Sequence, residues 1–410
     1  MNACKSDGSH DDMASVEGII KDWNDQALEG VRVTPGKVPY ATTLVNGQFQ
    51  LELPLNEGYT ITPSKEESPL NGVSTFDLVL ISKHILGIEN FKNPYQWIAA
   101  DINRSKSITA FDLVQLRKLI LNIDRKFNNN SSWRFVDSDY QFTTKNPLTE
   151  NFPESAIIKE LQQDTLLRFT GVKIGDVNGN ALPGSQATGE GRNNLSFFEI
   201  SVNDQILEAG ERYQVSFRAD QFEKILGYQF TLAFNGLKMN KLTAKKAQVE
   251  NFGLHKMNEG LITTSWHQTI NQDEQVNNSE KTDYSRTDLF QIEFIALRNG
   301  RLSEQLSMIE APTEIEAIDH NEEIMGIRLI FNSPTDSDQF ELYQNFPNPF
   351  KEETEIGFNL PEKSDVQLII RDETGRILQT IQTEGVPGYQ SIRIKKSDLK
   401  IGFNYYELVV

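Results

Sequence analysis

The spacing of apolar and polar positions changes character twice along this chain. From residue 16 to 63 it is short-range and strand-like. Val16-Glu17-Gly18-Ile19-Ile20 and Leu28-Glu29-Gly30-Val31-Arg32-Val33 flank a polar turn. Asn46-Gly47 leads into alternating Phe49, Leu51 and Leu53, and Tyr59-Thr60-Ile61-Thr62 closes the set. From 71 to 121 the apolar residues fall near i, i+3, i+4 and i+7, which predicts two amphipathic helices. Trp133–Asp137 and Leu166–Ile174 read as strands again, expected to form a flap over those helices. After residue 195, alternation resumes in Leu195–Ile200, Tyr213–Phe217, Tyr228–Phe234 and Leu289–Phe294, the signature of a sandwich. The predicted fold class is multidomain and mainly β, built of β-sandwiches with one small α-helical module.

The two helical segments are copies. Residues 71–86, NGVSTFDLVLISKHIL, align without a gap with residues 106–121, KSITAFDLVQLRKLIL, at an offset of 35. Two helices this short bury little alone, so they are expected to pack on each other. The second copy is preceded by Asp101, Asn103 and Ser105 and continues through Ser107, Thr109 and Asp112. Oxygen side chains at loop positions 1, 3, 5 and 9, with a carboxylate at 12, describe an EF-hand-type calcium loop of about twelve residues. Calcium takes several hard oxygens, so a loop that bends around it presents them on alternating residues. Position 6, usually Gly, is Lys106, and position 12 is Asp rather than Glu. The same spacing also suits an Asx-turn before a capped helix, without metal.

A duplicated loop–helix ending each loop in Asp resembles the dockerin modules of polysaccharide-degrading systems. The resemblance implies Ca2+ on Asp101, Asn103, Ser105, Thr109 and Asp112, with Ser107 offering its carbonyl. The first copy departs from the pattern, because Lys65-Glu66-Glu67-Ser68-Pro69-Leu70 stands where the first half-loop belongs. That half reappears downstream. Asp176-Val177-Asn178-Gly179-Asn180 matches positions 1 to 5, and residues 71–77 match positions 6 to 12. The expectation is a split site in which Asp176, Asn178, Asn180, Ser74 and Asp77 surround a second ion. The alternative is a polar turn, since Asn-Gly favours turns. Dockerins recognise cohesins through loop positions 10 and 11, here Thr75-Phe76 and Ala110-Phe111. A Phe in both copies is read as internal packing.

Three further resemblances complete the organisation. Residues 15–65 resemble the carboxypeptidase regulatory-like β-sandwiches, through G-I-I-K-D, L-E-G-V-R-V and N-G-Q-F. Residues 195–332 resemble cohesin-like and carbohydrate-binding-like sandwiches, through A-G-E-R-Y-Q-V-S-F-R and G-Y-Q-F-T-L-A-F-N. Residues 340–410, opening F-E-L-Y-Q-N-F-P-N-P-F, resemble the C-terminal sorting domain of the type IX secretion system of Bacteroidota, expected to be truncated at Val410. The expected domains are thus a disordered tail (1–14), the regulatory-like sandwich (15–65), the dockerin-like module with its flap (66–183), a linker (184–194), the second sandwich (195–332), a linker (333–339) and the sorting domain (340–410).

Composition narrows the partners. The net charge of −18 argues against nucleic acid and anionic membranes. One cysteine, Cys4, allows no disulfide within the chain. No run of 18 apolar residues is present, so no transmembrane segment is expected. The start, MNACKSDGSHDDMAS, lacks an apolar signal core, which leads to the expectation of a fragment of something longer. The five histidines make no His-Glu-x-x-His, and neither Gly-x-Ser-x-Gly nor a phosphate loop occurs. Trp266-His267 could stack on a sugar, although a core Trp is the plainer reading, and His84 is expected to be a packed or half-exposed helix residue. The chain is therefore expected not to be an enzyme. The expected function is a non-catalytic, calcium-stabilised structural and interaction portion of a secreted or cell-surface, outer-membrane-attached modular protein. Its expected partners are the secretion machinery, through the C-terminal domain, and a surface or polysaccharide partner. The alternative is a carbohydrate-binding or cohesin/dockerin-type scaffold unit of a polysaccharide-degrading system.

Overall fold

A computed structural model describes residues 12–36, 39–66, 69–144, 146–182, 196–269, 287–332, 340–343, 345, 350, 352–385, 388–399, 402 and 404–410. Both expected linkers, residues 270–286, the motif residues Phe346-Pro347-Asn348-Pro349 and most of the N-terminal tail lie outside the described residues. The chain divides into two compact units, one of residues 1–200, 207–300 and 304–329, the other of residues 201–206, 301–303 and 330–410.

The first unit begins with strands β1 (Met13–Asp22), β2 (Arg32–Thr34), β3 (Ala41–Thr42), β4 (Gln48–Pro54) and β5 (Tyr59–Ser64). Met13 and Ala14, expected in the tail, already belong to β1, because Ala14 is buried and pairs with Leu53. Helices α1 (Thr75–Ile85), α2 (Pro94–Ala100) and α3 (Ala110–Ile120) follow, then β6 (Trp133–Asp137), β7 (Ala156–Ile158) and β8 (Thr165–Lys173). β1 pairs with β4 antiparallel on one side and with β8 parallel on the other, from Val16↔Thr165 to Asp22↔Gly171. β8 then pairs with β6, and β7 pairs with β5 in the second sheet, whose order is β3-β2-β5-β7.

This corrects the expected boundary at 65/66 and the expected flap. A parallel pair needs a long crossover, and here the crossover contains the whole helical module. The strands at 133–137 and 165–173 complete the N-terminal sandwich rather than lying loose on the helices. Their side chains face both ways, as expected of a strand buried on two sides. Phe135 and Phe169 join Val16, Ile20, Phe49 and Leu51 in the sandwich core. Val136 and Val172 join Leu78, Ile81, Leu116, Leu119 and Ile120 in the helical core. Helix α2 was not anticipated, although Asn93, Pro94 and Gln96 spell its start: Asn93 caps it, Gln96 closes a capping box and Pro94 sits in the first turn.

The second sandwich contains β9 (Phe197–Asn203), β10 (Ile206–Leu207), β11 (Arg212–Ala219), β12 (Ile225–Phe234), β13 (Leu237–Ala244), β14 (Phe252–Gly253), β15 (Leu261–His267), β16 (Thr287–Ala296), β17 (Gly300–Arg301), β18 (Leu306–Ile309), β19 (Glu316–Asp319) and β20 (Ile324–Asn332). β16 lies between β11 and β13, and β12 is flanked by β15 on one side and by β18 and β19 on the other, all antiparallel. The four strands expected from alternation all form.

The second unit holds β21 (Glu341–Leu342), β22 (Glu353–Leu360), β23 (Ser364–Asp372), β24 (Ile377–Gly385), β25 (Gly388–Lys395) and β26 (Asn404–Val409). They make two three-stranded sheets, β21-β22-β25 and β24-β23-β26, closed over Ile356, Leu368, Ile370 and Ile394. The fold class is therefore multidomain and mainly β, with one small helical module.

A Cβ built on Gly18 would lie 2.4 Å from the Phe49 ring and 2.7 Å from the Leu167 carbonyl oxygen, so both neighbours of β1 crowd it. Gly18→Val is expected to cost about 2–3 kcal/mol in urea unfolding. Hydrogen exchange should speed up in 165–173 as well as in 13–22 and 48–54. Unchanged protection at 165–173 would refute the parallel pairing.

Candidate metal centre

Each helix of the repeat starts on the same device. Ser74 caps α1 and accepts from Phe76 N at 3.2 Å, while Asp77 Oδ2 accepts from Ser74 N at 2.9 Å. Thr109 caps α3 and accepts from Phe111 N at 3.2 Å, while Asp112 Oδ2 accepts from Thr109 N at 2.9 Å. These are capping boxes with Asp as the closing carboxylate. The residue ending each predicted loop therefore also begins a helix.

The intact loop folds around its first carboxylate. Asp101 Oδ1 accepts from Ser105 N at 2.8 Å and Oδ2 accepts from Lys106 N at 3.0 Å. Asn103 Oδ1 also accepts from Ser105 N at 2.9 Å, and Asn103 N donates to Asp112 Oδ1 at 3.3 Å. Ser105 Oγ donates to the Ser107 carbonyl at 3.1 Å, and Thr109 Oγ1 donates to Asp112 Oδ2 at 3.2 Å. All six expected residues are thus joined in one hydrogen-bonded loop. Lys106 takes a φ of 66°, the left-handed conformation for which Gly is the usual residue.

The other two half-loops come together from about a hundred residues apart. Asp176 Oδ1 accepts from Gly179 N at 2.7 Å and Asn180 N at 3.2 Å, and its Oδ2 accepts from Ala181 N at 2.8 Å. Asn178 Oδ1 accepts from Asn180 N at 3.2 Å, as Asn103 does from Ser105. Val177 N donates to Asp77 Oδ1 at 2.8 Å. The seam is sealed by Asn71, whose amide exchanges two bonds with Leu182, Oδ1 accepting from Leu182 N at 3.0 Å and Nδ2 donating to Leu182 O at 2.8 Å. A Cβ on Gly72 would lie 2.6 Å from Ala181 N and Cα, so only Gly permits this approach. The structure thus sets Ser74, Asp77, Asp176, Asn178 and Asn180 on two adjoining hydrogen-bonded segments. A residue without a sequence signal also supports it. Buried Lys173 donates to the carbonyls of Pro69 at 2.8 Å and Ile174 at 3.1 Å, holding the approach to the seam.

Burial dominates the electrostatics of these loops. Asp77 and Asp112 are 0% exposed, and Asp101 and Asp176 are 1% exposed. Burial pushes the Asp77 carboxyl well up, and the Asp176 charge adds to it against the donated N–H groups of Ser74 and Val177. Burial likewise raises Asp176 to about 6, opposed by three backbone N–H groups and by Lys173. Asp101 is raised by burial and by Asp112, opposed by the N–H groups of Lys106 and Ser105. Buried like charges raise each other's proton affinity unless something compensates them. Among the described residues no group of three His, Cys, Asp or Glu side chains is placed to hold a metal. Each loop offers two carboxylates, with amide, hydroxyl and main-chain oxygens for the rest. That all-oxygen set fits a calcium ion and not a thiolate- or imidazole-seeking metal.

Loop positions 10 and 11 do not pack internally as expected. Thr75 N and Oγ1 donate to Gln229 Oε1 on β12 at 2.7 and 2.9 Å, and Thr75 Oγ1 lies 2.7 Å from Ser265 Oγ on β15. Phe76 and Val79 pack on Leu226 and Ile318 of the second sandwich. Phe111, the counterpart of Phe76, is 56% exposed. Helical periodicity alone does not say whether a residue faces its own module, a neighbour or solvent. His84 is a packed helix residue, stacked on Phe91 with centroids 4.1 Å apart. Trp266 belongs to an aromatic cluster with Tyr228 and Phe222, at 5.4 and 4.6 Å. His267 is buried, held neutral by burial and by Arg117, whose Nη2 lies 2.9 Å from its Nδ1.

No protein-family model matches this chain, and no curated protein matches it. Solved structures match it over about a third of its length. A chain of a type I cohesin–dockerin complex of Clostridium thermocellum is 12% identical, covers 34% of this chain and 99% of its own, and gives a TM-score of 0.24. The seventh ScaB type I cohesin of Pseudobacteroides cellulosolvens is 13% identical over 34% of this chain and 89% of its own, at 0.24. The type II cohesin dyad from the ScaA adaptor scaffoldin of Acetivibrio cellulolyticus is 13% identical over 43% and 61%, at 0.25. Scores of this size fix neither family nor activity.

The raised carboxylates have a pH signature. Asp176 titrates near 6 in the folded chain against an ordinary value of 3.8, so the folded state binds its proton more tightly than the unfolded state does. In EDTA, stability should therefore rise as pH falls through 6, by on the order of 3 kcal/mol from this group once pH approaches the unfolded value. With calcium present the trend should reverse, because protons then compete with the ion. Melting temperatures with and without calcium at several pH values test this. Parallel curves would refute a metal at these carboxylates.

Proposed function

We propose that this chain is a non-catalytic, calcium-stabilised interaction unit of a secreted modular protein, of the cohesin/dockerin scaffold type rather than a plain spacer. The composite loop supports this reading above all. Residues 71–77 and 176–182 meet through Asp77–Val177 and Asn71–Leu182, closing the helical module at a second loop built like the first. Two ions would then hold two 11-residue helices that are too short to be stable alone. Ca2+ would supply charge neutralisation and oxygen coordination there, and the chain's own residues set the shape. The contact of Thr75 and Phe76 with the second sandwich of this chain supports an interaction module over a plain spacer. The aromatic cluster around Trp266 leaves less support for a glycan platform.

The export route is proposed from resemblance. The strand series 353–409 and the motif at 340–350 suit a sorting domain of the type IX system, which would place the protein outside the cell or on its surface. Among the described residues no helix is long and apolar enough to cross a membrane.

Calorimetric titration of the whole chain with calcium is expected to give a stoichiometry of two. Asp176→Ala should reduce it to one and lower the melting temperature in calcium by several degrees. A wild-type stoichiometry of one, unchanged in the variant, would reject the composite site. No binding at millimolar calcium would reject the reading as a whole.

A further inference from the structure

A cleft of about 220 Å3 is lined by the intact loop at Asp101, Arg104 and Lys106, by Arg134 of β6 and by the segment 148–154. Alternation along β6 sends Trp133 and Phe135 into the sandwich core and Arg134 and Val136 to the opposite face. The Arg134 side chain is only 8% exposed. Its Nε donates to Glu154 Oε1 at 2.6 Å, and its guanidinium lies over the Phe152 ring, 5.0 Å from the centroid. Among the described residues its two terminal amines have no hydrogen-bond partner; they open on the cleft, of which Arg134 is a wall. Open amines on a buried guanidinium cost free energy until an acceptor meets them. Two more cations come from the loop. Arg104 and Lys106 stand at positions 4 and 6, at φ of 56° and 66°. The composite loop has Gly179 at position 4, at φ of 74°, and Asn71 at position 6. The intact loop therefore puts long cationic side chains on backbone that favours glycine. Arg104 pairs with the second oxygen of Glu154, and Lys106 Nζ donates to Asn151 Oδ1 at 3.2 Å. The acceptors around the cleft are already taken. Glu154 serves both arginines, Asp101 accepts from Ser105 N and Lys106 N, and Glu150 accepts from Thr143 N, Thr144 N and Tyr140 Oη. The cleft is left with a surplus of charged donors.

We propose that this cleft binds a small organic monocarboxylate, with the terminal amines of Arg134 on its carboxylate and Arg104 and Lys106 completing the site from the loop. The paired amines of a guanidinium match the planar carboxylate. Glu154 and Phe152 already hold that guanidinium in place, so little side-chain freedom is lost when a ligand arrives. Three carboxylates border the cleft, and they repel a doubly charged phosphate or sulfate more than a singly charged acid. The volume is below the roughly 300–1,000 Å3 of sites for larger ligands, so the occupant is small. The chain as a whole carries a charge of −18, which makes the recognition local: it comes from donors in contact, not from a long-range field. The inference goes beyond the calcium reading and does not rest on it, since the open donors are side chains and only Asp101 borders both.

The test titrates the whole chain, in one calcium-containing buffer, with butyrate, butyramide and sulfate, read by the side-chain N–H signals of isotope-labelled arginine. Butyrate should shift the Arg134 and Arg104 signals saturably in the millimolar range. Butyramide has the same shape without the charge and should leave them in place. Arg134→Lys should weaken butyrate binding by about tenfold or more, read on Arg104. A second variant guards against a failure of that buried substitution to fold. Arg104→Gly combined with Lys106→Gly places glycine where φ is positive and removes only one half-exposed ion pair, so the melting temperature should hold. Butyrate binding, read on Arg134, should still weaken by about tenfold. No saturable shift with butyrate, an equal response to butyramide, or undiminished binding in the folded double variant each overturns the inference. Sulfate bound as tightly as butyrate overturns the assignment to a carboxylate.

Discussion

Asp77 is buried completely, and the charge that presses hardest on it is another buried carboxylate, Asp176. That pair ties residues 71–77 to the turn that follows β8. Asp77 closes the capping box of α1 and also accepts Val177 N, so one side chain ties the start of a helix to the end of a sheet. Asp176 organises the turn that brings Leu182 onto Asn71. Burying two like charges costs several kcal/mol unless something compensates. The backbone N–H groups compensate in part, and an ion would complete it. The module's integrity and its proposed affinity for calcium are then one free energy, because the site exists only in the folded chain.

The position of that pair depends on the parallel pairing of β1 with β8. Asp22 pairs with Gly171, five residues before Asp176. The return strand can therefore reach the first half-loop only because the N-terminal sandwich places it there. The helices in turn rest on Val136 and Val172, the reverse face of the strands that fill the sandwich. Sandwich and module are thus built from shared strands, and neither can be cut out at residue 65 without losing strands of one or a wall of the other.

Periodicity made most of the strands and both repeat helices readable, because each element's local pattern agrees with the fold. The repeat supplied a template with a missing half and 176–180 supplied a match for it, and the structure sets residues 71–77 beside 176–182. What stayed hidden was choice of partner. Leu166–Ile174 reads as a strand, but nothing within it names β1 as its neighbour or makes the pairing parallel. Seven residues are too few for α2 to show a period, although its cap is written in Asn93, Pro94 and Gln96. The Phe at position 11 misled for a related reason. An apolar side chain on a helix does not name its cover: residues 226 and 318 cover Phe76, whereas Phe111 is largely exposed.

The two repeats agree and differ for physical reasons that can be traced residue by residue. They share Asp77/Asp112, which close each capping box in the same way, and Leu78/Leu113, the first buried in the helical core and the second packed at its edge. They part at Ser82/Arg117 and His84/Leu119. Leu119 fills the helical core, whereas His84 stacks on Phe91 and meets the edge of Trp97 at 4.4 Å. Arg117 reaches across to His267, a contact for which serine is too short. The two helices therefore meet the second sandwich through different groups, α1 through Thr75 and Phe76 and α3 through Arg117 and its C-terminal carbonyls.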